Sequence, residues 1–143
     1  MLPSYQISLY LKGSSLQHAD ITALLGVAPT SAHLMGDKKR LASGREVTRR
    51  TGLWALTVRD DQGSDFSALV HSLVDKFHTF GQSFTQLPGV EEAFVDVLVM
   101  RSANKDGGGT NEFWINGEAL KSLCNLGLPL QITAAVIPQQ CEQ

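Results

Sequence analysis

Ile7, Leu9 and Leu11 alternate with Ser8, Tyr10 and Lys12 near the start of the chain, and Gly13 ends the run. That period of two predicts a strand with one buried face. Ile21, Leu24 and Leu25 then fall at helical spacing, and Gly26 followed by Pro29 stops that short helix. Residues 30–50 hold few apolar side chains and carry Gly36, Asp37 and Gly44, so a loop with one or two short extended pieces is expected. Leu53, Trp54, Ala55, Leu56 and Val58 make a nearly continuous apolar run, which predicts an interior strand over 51–59 covered on both faces.

Asp60, Asp61, Gly63 and Ser64 read as a turn, and Ser64 or Asp65 is the expected cap of a helix. Phe66, Leu69, Val70, Leu73, Phe77, Phe80 and Phe84 recur at steps of three and four, the stripe of an amphipathic helix about five turns long. Pro88 and Gly89 end it. A strand is expected over 93–101, a mobile glycine-rich hairpin loop over 104–111, and a short returning strand over 112–115. Asn116 should cap a third helix with Leu120, Leu123 and Cys124 inward, closed by Gly127 and Pro129 before a last strand over 130–137. The fold class that results is α+β: a largely antiparallel sheet packed on one face by one long amphipathic helix, with two shorter helices.

The length of 143 residues favours one domain over 1–143, large enough to build a core without staples. The formal net charge of −2 creates no global field toward nucleic acid or an anionic membrane. Two cysteines, Cys124 and Cys141, make neither a disulfide framework nor a zinc site; the first reads as a small core residue and the second as a free thiol. Both fit a reducing, cytoplasmic compartment. The first ten residues lack a signal-peptide pattern, and no stretch approaches the roughly 20 apolar residues of a membrane span.

Charge is unevenly placed. Lys38, Lys39, Arg40, Arg45, Arg49 and Arg50 hold half of the chain's 12 Lys and Arg residues, beside only Asp37 and Glu46. Such a cluster is either a solvated loop or a contact for an acidic protein or small anion. No aromatic residue is interleaved between 38 and 50, so a base-stacking platform is not indicated and nucleic acid is disfavoured. Within the cluster Arg49 and Arg50 adjoin a predicted strand; one is expected to pair with Asp37 or face the sheet, leaving the other to bind. His71 and His78 are seven residues apart, too far along a helix to share a metal, and His18 and His33 carry no pattern. Gly107, Gly108 and Gly109 lack the lysine and following helix of a phosphate loop. Trp54 is expected in the core with its indole N–H bonded to backbone, and Trp114 partly exposed as a contact anchor. No nucleophile elbow, zincin motif or dinucleotide fingerprint occurs, so no catalytic residue, metal ligand or cofactor is assigned.

In their order, the strand at Ile7 to Gly13, the run Ile21-Thr22-Ala23-Leu24-Leu25-Gly26-Val27-Ala28-Pro29-Thr30, Gly36-Asp37, Arg49-Arg50-Thr51-Gly52-Leu53-Trp54 and Leu126-Gly127-Leu128-Pro129-Leu130 resemble the bacterial family known as domain of unknown function 4279. The resemblance spans nearly the whole chain and implies a bacterial α+β domain that stands alone; it brings no catalytic residues. The reading is a non-enzymatic binding or interaction domain, able to self-associate, with Asp37, Arg49, Arg50 and Trp114 as the binding candidates. The alternatives are an immunity or antitoxin-like partner-binding protein, and an enzyme with a site near the basic loop.

Overall fold

Alternation in the first strand has its structural counterpart at the centre of the molecule. In the computed structural model, which describes residues 4–60, 65–109 and 112–138, β1 (Ser4–Gly13) is the middle strand of a five-stranded sheet. It pairs antiparallel with β5 (Gly52–Asp60) on one side and β6 (Glu92–Ser102) on the other. β2 (Ser31–His33) adds antiparallel to β5, and β7 (Leu130–Ile137) adds parallel to β6, giving the order β2-β5-β1-β6-β7. The sheet is therefore mixed. β3 (Lys38–Arg40) and β4 (Glu46–Thr48) form a separate two-stranded hairpin, so 30–50 holds three short strands. The turn expected through Asp61, Gly63 and Ser64, the alternative cap at Ser64, the loop positions Thr110 and Asn111, and Cys141 lie outside the described residues.

The period of two sorts β1 into two functions. Tyr5, Ile7, Leu9 and Leu11 are buried on the helix-covered face, together with Trp54 and Leu56 of β5 and Val95, Val97 and Val99 of β6. Ser8, Tyr10 and Lys12 project from the other face, where no helix packs. β5 has a neighbour on each side, as expected, but it is not covered on both faces: Trp54, Ala55 and Leu56 are buried, whereas Leu53 and Thr57 are half-exposed.

Three short helices supply the covering layer. α1 (His18–Leu25) buries Ile21 and Leu25, leaves Leu24 exposed, and ends at Gly26 with φ 73°. α2 (Phe66–Asp75) is capped by Asp65, whose side chain accepts from the Ala68 N–H. α3 (Gly117–Asn125) is capped by Asn116 as expected. Its inward residues, however, are Ala119 and Leu123; Leu120 and Cys124 are exposed, which corrects the assignment of that cysteine to the core.

The long amphipathic helix does not exist as one element. α2 stops after ten residues, and the backbone continues through turns closed by Phe77 N–H to the Val74 carbonyl and Phe80 N–H to the Phe77 carbonyl, then a 3-10 turn at Phe84–Gln86. The aromatic stripe nevertheless points inward: Phe77 and Phe84 are buried and stack edge to face at 5.4 Å. Periodic apolar spacing reports which side chains seek the core, and a chain of turns can deliver them as a helix does. The returning strand over 112–115 is also absent; Phe113 and Ile115 pack on the core from a coil, and the sheet position is taken by β7. At 104–109 the Asn104 side chain accepts from the N–H groups of Asp106 and Gly108, closing a turn on itself.

Trp54 ties the layers together. Its ring is fully buried, its Nε1–H donates to Thr22 Oγ1 of α1 at 3.0 Å, and it meets Phe77 edge to face at 6.3 Å. The indole partner is thus a side chain and not backbone. Phe77→Ala should destabilise the fold by about 3–5 kcal/mol, the usual range for truncating a buried ring. A urea titration showing an unchanged midpoint would remove that ring from the core.

Candidate functional site

On the open face of the sheet, next to its β2 edge, lies a shallow depression of about 290 Å³. Tyr10 and Lys12 enter it from β1, Leu53 from β5, His33 from β2, and Arg49, Arg50 and Thr51 from the segment that leads into β5. Three separate stretches of sequence therefore converge. β5 supplies the link, since His33 pairs with Leu53 on one side and Lys12 with Leu53 on the other.

The lining is cationic. Lys12, Arg49 and Arg50 form no ion pair among the described residues; Lys38–Glu46, at 3.4 Å, lies outside the depression on the exposed hairpin. Glu92 stands opposite Lys12 in the β1–β6 ladder but neither pairs with it nor lines the depression. Lys12 Nζ sits 5.3 Å from the centroid of Phe94 and 5.9 Å from that of Tyr10, two rings stacked on each other at 5.2 Å. The aromatic pair supports the ammonium through its negative faces while leaving its N–H groups unspent.

Asp37 has a different place from the one the basic cluster implied. Its carboxylate accepts from the Leu34 N–H at 2.8 Å, and its carbonyl accepts from the Arg49 N–H at 2.7 Å. The Gly36 N–H donates to the Arg49 carbonyl, so the backbone at Arg49 is clamped on both sides. Of the two arrangements expected for one arginine, pairing with Asp37 or facing the sheet, the ion pair is absent among the described residues; Asp37 holds the backbone of Arg49 and leaves the guanidinium unpaired there. Arg49 is half-buried and Arg50 exposed, and both line the depression.

His33, which carried no signal in the sequence, is a perturbed titratable group in the depression. Its Nδ1 is buried without a hydrogen-bond partner. Burial, and then the charge of Arg49, push its pKa below the ordinary value of 6.5; the Leu34 and Thr51 backbone and Asp37 oppose the shift without reversing it. Tyr10 and Lys12 were likewise invisible as site residues, because alternation in β1 explains them fully as the polar face of a strand.

Trp114 is 83% exposed and lies apart from this group. Its carbonyl accepts from Ser67 Oγ near the start of α2, and its neighbour Phe113 packs on Tyr5, at the opposite end of β1 from Lys12. A second, larger cleft of about 430 Å³ runs between the end of α2 and α3, lined by Phe77, Phe80, Phe84 and the polar His78 and Asn125. It gathers no comparable charge. Among the described residues, no group of three or more His, Cys, Asp or Glu side chains converges as a metal site would require, and no helix is long and apolar enough to cross a membrane.

Residues 3–136 match the family described as Domain of unknown function (DUF4279). The chain belongs to that family. The match covers nearly all of the chain, including every residue of the depression and the whole of β1 through β6. No curated protein and no solved structure matches it.

The lowered His33 pKa has a sign that stability can report. A histidine held below 6.5 in the fold binds fewer protons there than in the unfolded chain. Its contribution is complete above that value and is lost as the pH falls through the lowered one. Urea midpoints taken between pH 7 and pH 5 should therefore fall less steeply for His33→Gln than for the wild type. Parallel pH profiles would show that His33 is not perturbed.

Proposed function

We propose that this protein is a binding domain whose depression takes a small anion bearing a phosphate or carboxylate group. One observation carries the reading: Lys12, Arg49, Arg50 and His33 converge from distant parts of the sequence with no carboxylate in the lining. Concentrating like charge without partners destabilises a fold modestly, and an anion relieves it. Guanidinium groups present planar, paired donors suited to both oxyanions, and Lys12 adds a point charge held over the aromatic pair.

The alternatives have weaker support. Nucleophilic catalysis by Thr51 would need its hydroxyl set against a base, but that hydroxyl donates to the Gly52 carbonyl. An immunity or antitoxin-like role would need a partner surface, and the depression is too small to be one by itself. Cytoplasmic location fits the free thiol of Cys124 and remains part of the proposal.

Isothermal titration with inorganic phosphate, and separately with citrate, tests the reading. Arg49→Ala and Arg50→Ala should each weaken binding roughly tenfold or more, since a hydrogen bond to a charged group contributes about 1.5–3 kcal/mol. Lys38→Ala, on the paired hairpin, should leave affinity unchanged. Binding should weaken as salt rises, through screening of exposed charge. Protonation of His33 as the pH falls favours the bound anion, so the wild type should gain affinity relative to His33→Gln toward low pH, the protonation of the anion itself being common to both. If neither anion binds at low salt, the depression is only a solvated surface.

A further inference from the structure

β7 is the long edge of the sheet, and no described residue covers it. Its sequence, Leu-Gln-Ile-Thr-Ala-Ala-Val-Ile, contains no charge, no proline and no glycine, and its ladder with β6 runs without a bulge from Leu130 to Ile137. Edge strands are normally made short, charged, bulged or proline-bearing, because an open edge is a template for another strand. The opposite edge follows that practice: β2 has three residues.

The hydrogen bonds define which groups are open. The Val95 N–H donates to the Pro129 carbonyl and the Ala103 N–H to the Ile137 carbonyl, so the odd residues of β7 turn their backbone toward β6. Leu130, Ile132, Ala134 and Val136 turn theirs outward, and no described residue meets them. The same even residues stand opposite Val95, Val97, Val99 and Arg101, which puts their side chains on the helix-covered side of the sheet. Yet the helices do not reach that far. Leu130 is 42% exposed, Ile132 53% and Val136 51%, beside valines that are buried one strand away.

We infer that β7 pairs with β7 of a second copy, antiparallel about a twofold axis through Thr133. The occupant must be a strand, because the open groups form a strand's repeating donor and acceptor pattern. A second copy satisfies every requirement of the edge at once. A twofold axis perpendicular to the sheet keeps the helix-covered side of both copies facing the same way, so even residues must meet even residues. Centring on Thr133 sets Leu130 against Val136 and Ile132 against Ala134, and this register uses every outward N–H and C=O between 130 and 136. On the helix-covered side apolar side chains then meet only apolar side chains, and β7 brings no charge into the seam, since it has none. The two sheets become one, and the exposed aliphatic row of each copy forms the floor of a cleft between two helical layers. An interface of one strand pair and its flanking side chains is small, on the order of 1,000 Å² in total, which places the dimer among weak, reversible associations.

Sedimentation velocity of the full chain over a concentration series should show a reversible monomer–dimer equilibrium. Ile132→Lys puts like charges on either side of the axis, and Ala134→Pro deletes an outward N–H that β6 does not use. Each should raise the dissociation constant roughly tenfold or more, more than 1.4 kcal/mol, with the circular dichroism spectrum retained. In a Cys124→Ser, Cys141→Ser background, Thr133→Cys should oxidise to a disulfide-linked dimer. Residue 133 faces its own copy in a non-hydrogen-bonded pair, with the Cα spacing of about 4.5 Å that such pairs show. Gln131→Cys, which faces Ala135, should not cross-link. A chain monomeric throughout the series, a dimer indifferent to both edge substitutions, or cross-linking through Gln131 and not Thr133 would overturn the proposal. So would a monomer that takes up a foreign extended peptide along β7.

Discussion

The fully buried ring of Trp54 is the constraint on which the layers depend. It stands on β5, packs edge to face on Phe77 and spends its one polar atom on Thr22 of α1. Sheet, first helix and the turns after α2 are thereby joined through a single side chain. An indole N–H buried without an acceptor would cost a few kcal/mol, so the hydroxyl of Thr22 permits the ring to sit there at all. With β5 held against the helices on one face, its other face is available to the solvent side of the molecule. That is where Leu53 and the arginines before it help to build the depression.

Much of this was readable from alternation and from helix stops. Ile7, Leu9 and Leu11 identified the buried face of the central strand, and Gly26 and Gly127 adopt the left-handed conformation that their places after helices required. Asp65 and Asn116 cap the helices that begin just after them. These features are local, determined by residues within a turn or two. The family resemblance, resting on the order of such local pieces, is shown over residues 3–136.

The features that escaped the sequence were non-local. The aromatic stripe after Asp65 has helical spacing, yet the backbone leaves the helix after Asp75 while Phe77 and Phe84 still reach the core. Residues 112–115 read as a strand returning along β6, but β6 already has neighbours in β1 and β7, so no position beside it is vacant for them. The parallel pairing of β6 with β7 could not be read either, because strand order depends on contacts between distant segments. The site shows the same division. Arg49 and Arg50 stood out as part of a charge run, whereas His33 and Lys12 join them only because β2 and β1 flank β5. Asp37, conspicuous for its charge, acts through its backbone and its turn geometry.

The depression straddles strands held to very different degrees. Lys12 and Tyr10 belong to a strand bonded on both sides along most of its length, whereas His33 belongs to a three-residue strand bonded on one side alone. Amide protons of β1 are expected to exchange with solvent through global unfolding, and those at β2 through local fraying of the edge. Occupancy of the depression would therefore be registered in the fraying of β2, with little change in β1, so that half of the site acts as a rigid platform and the other half as the part whose order reports what is bound.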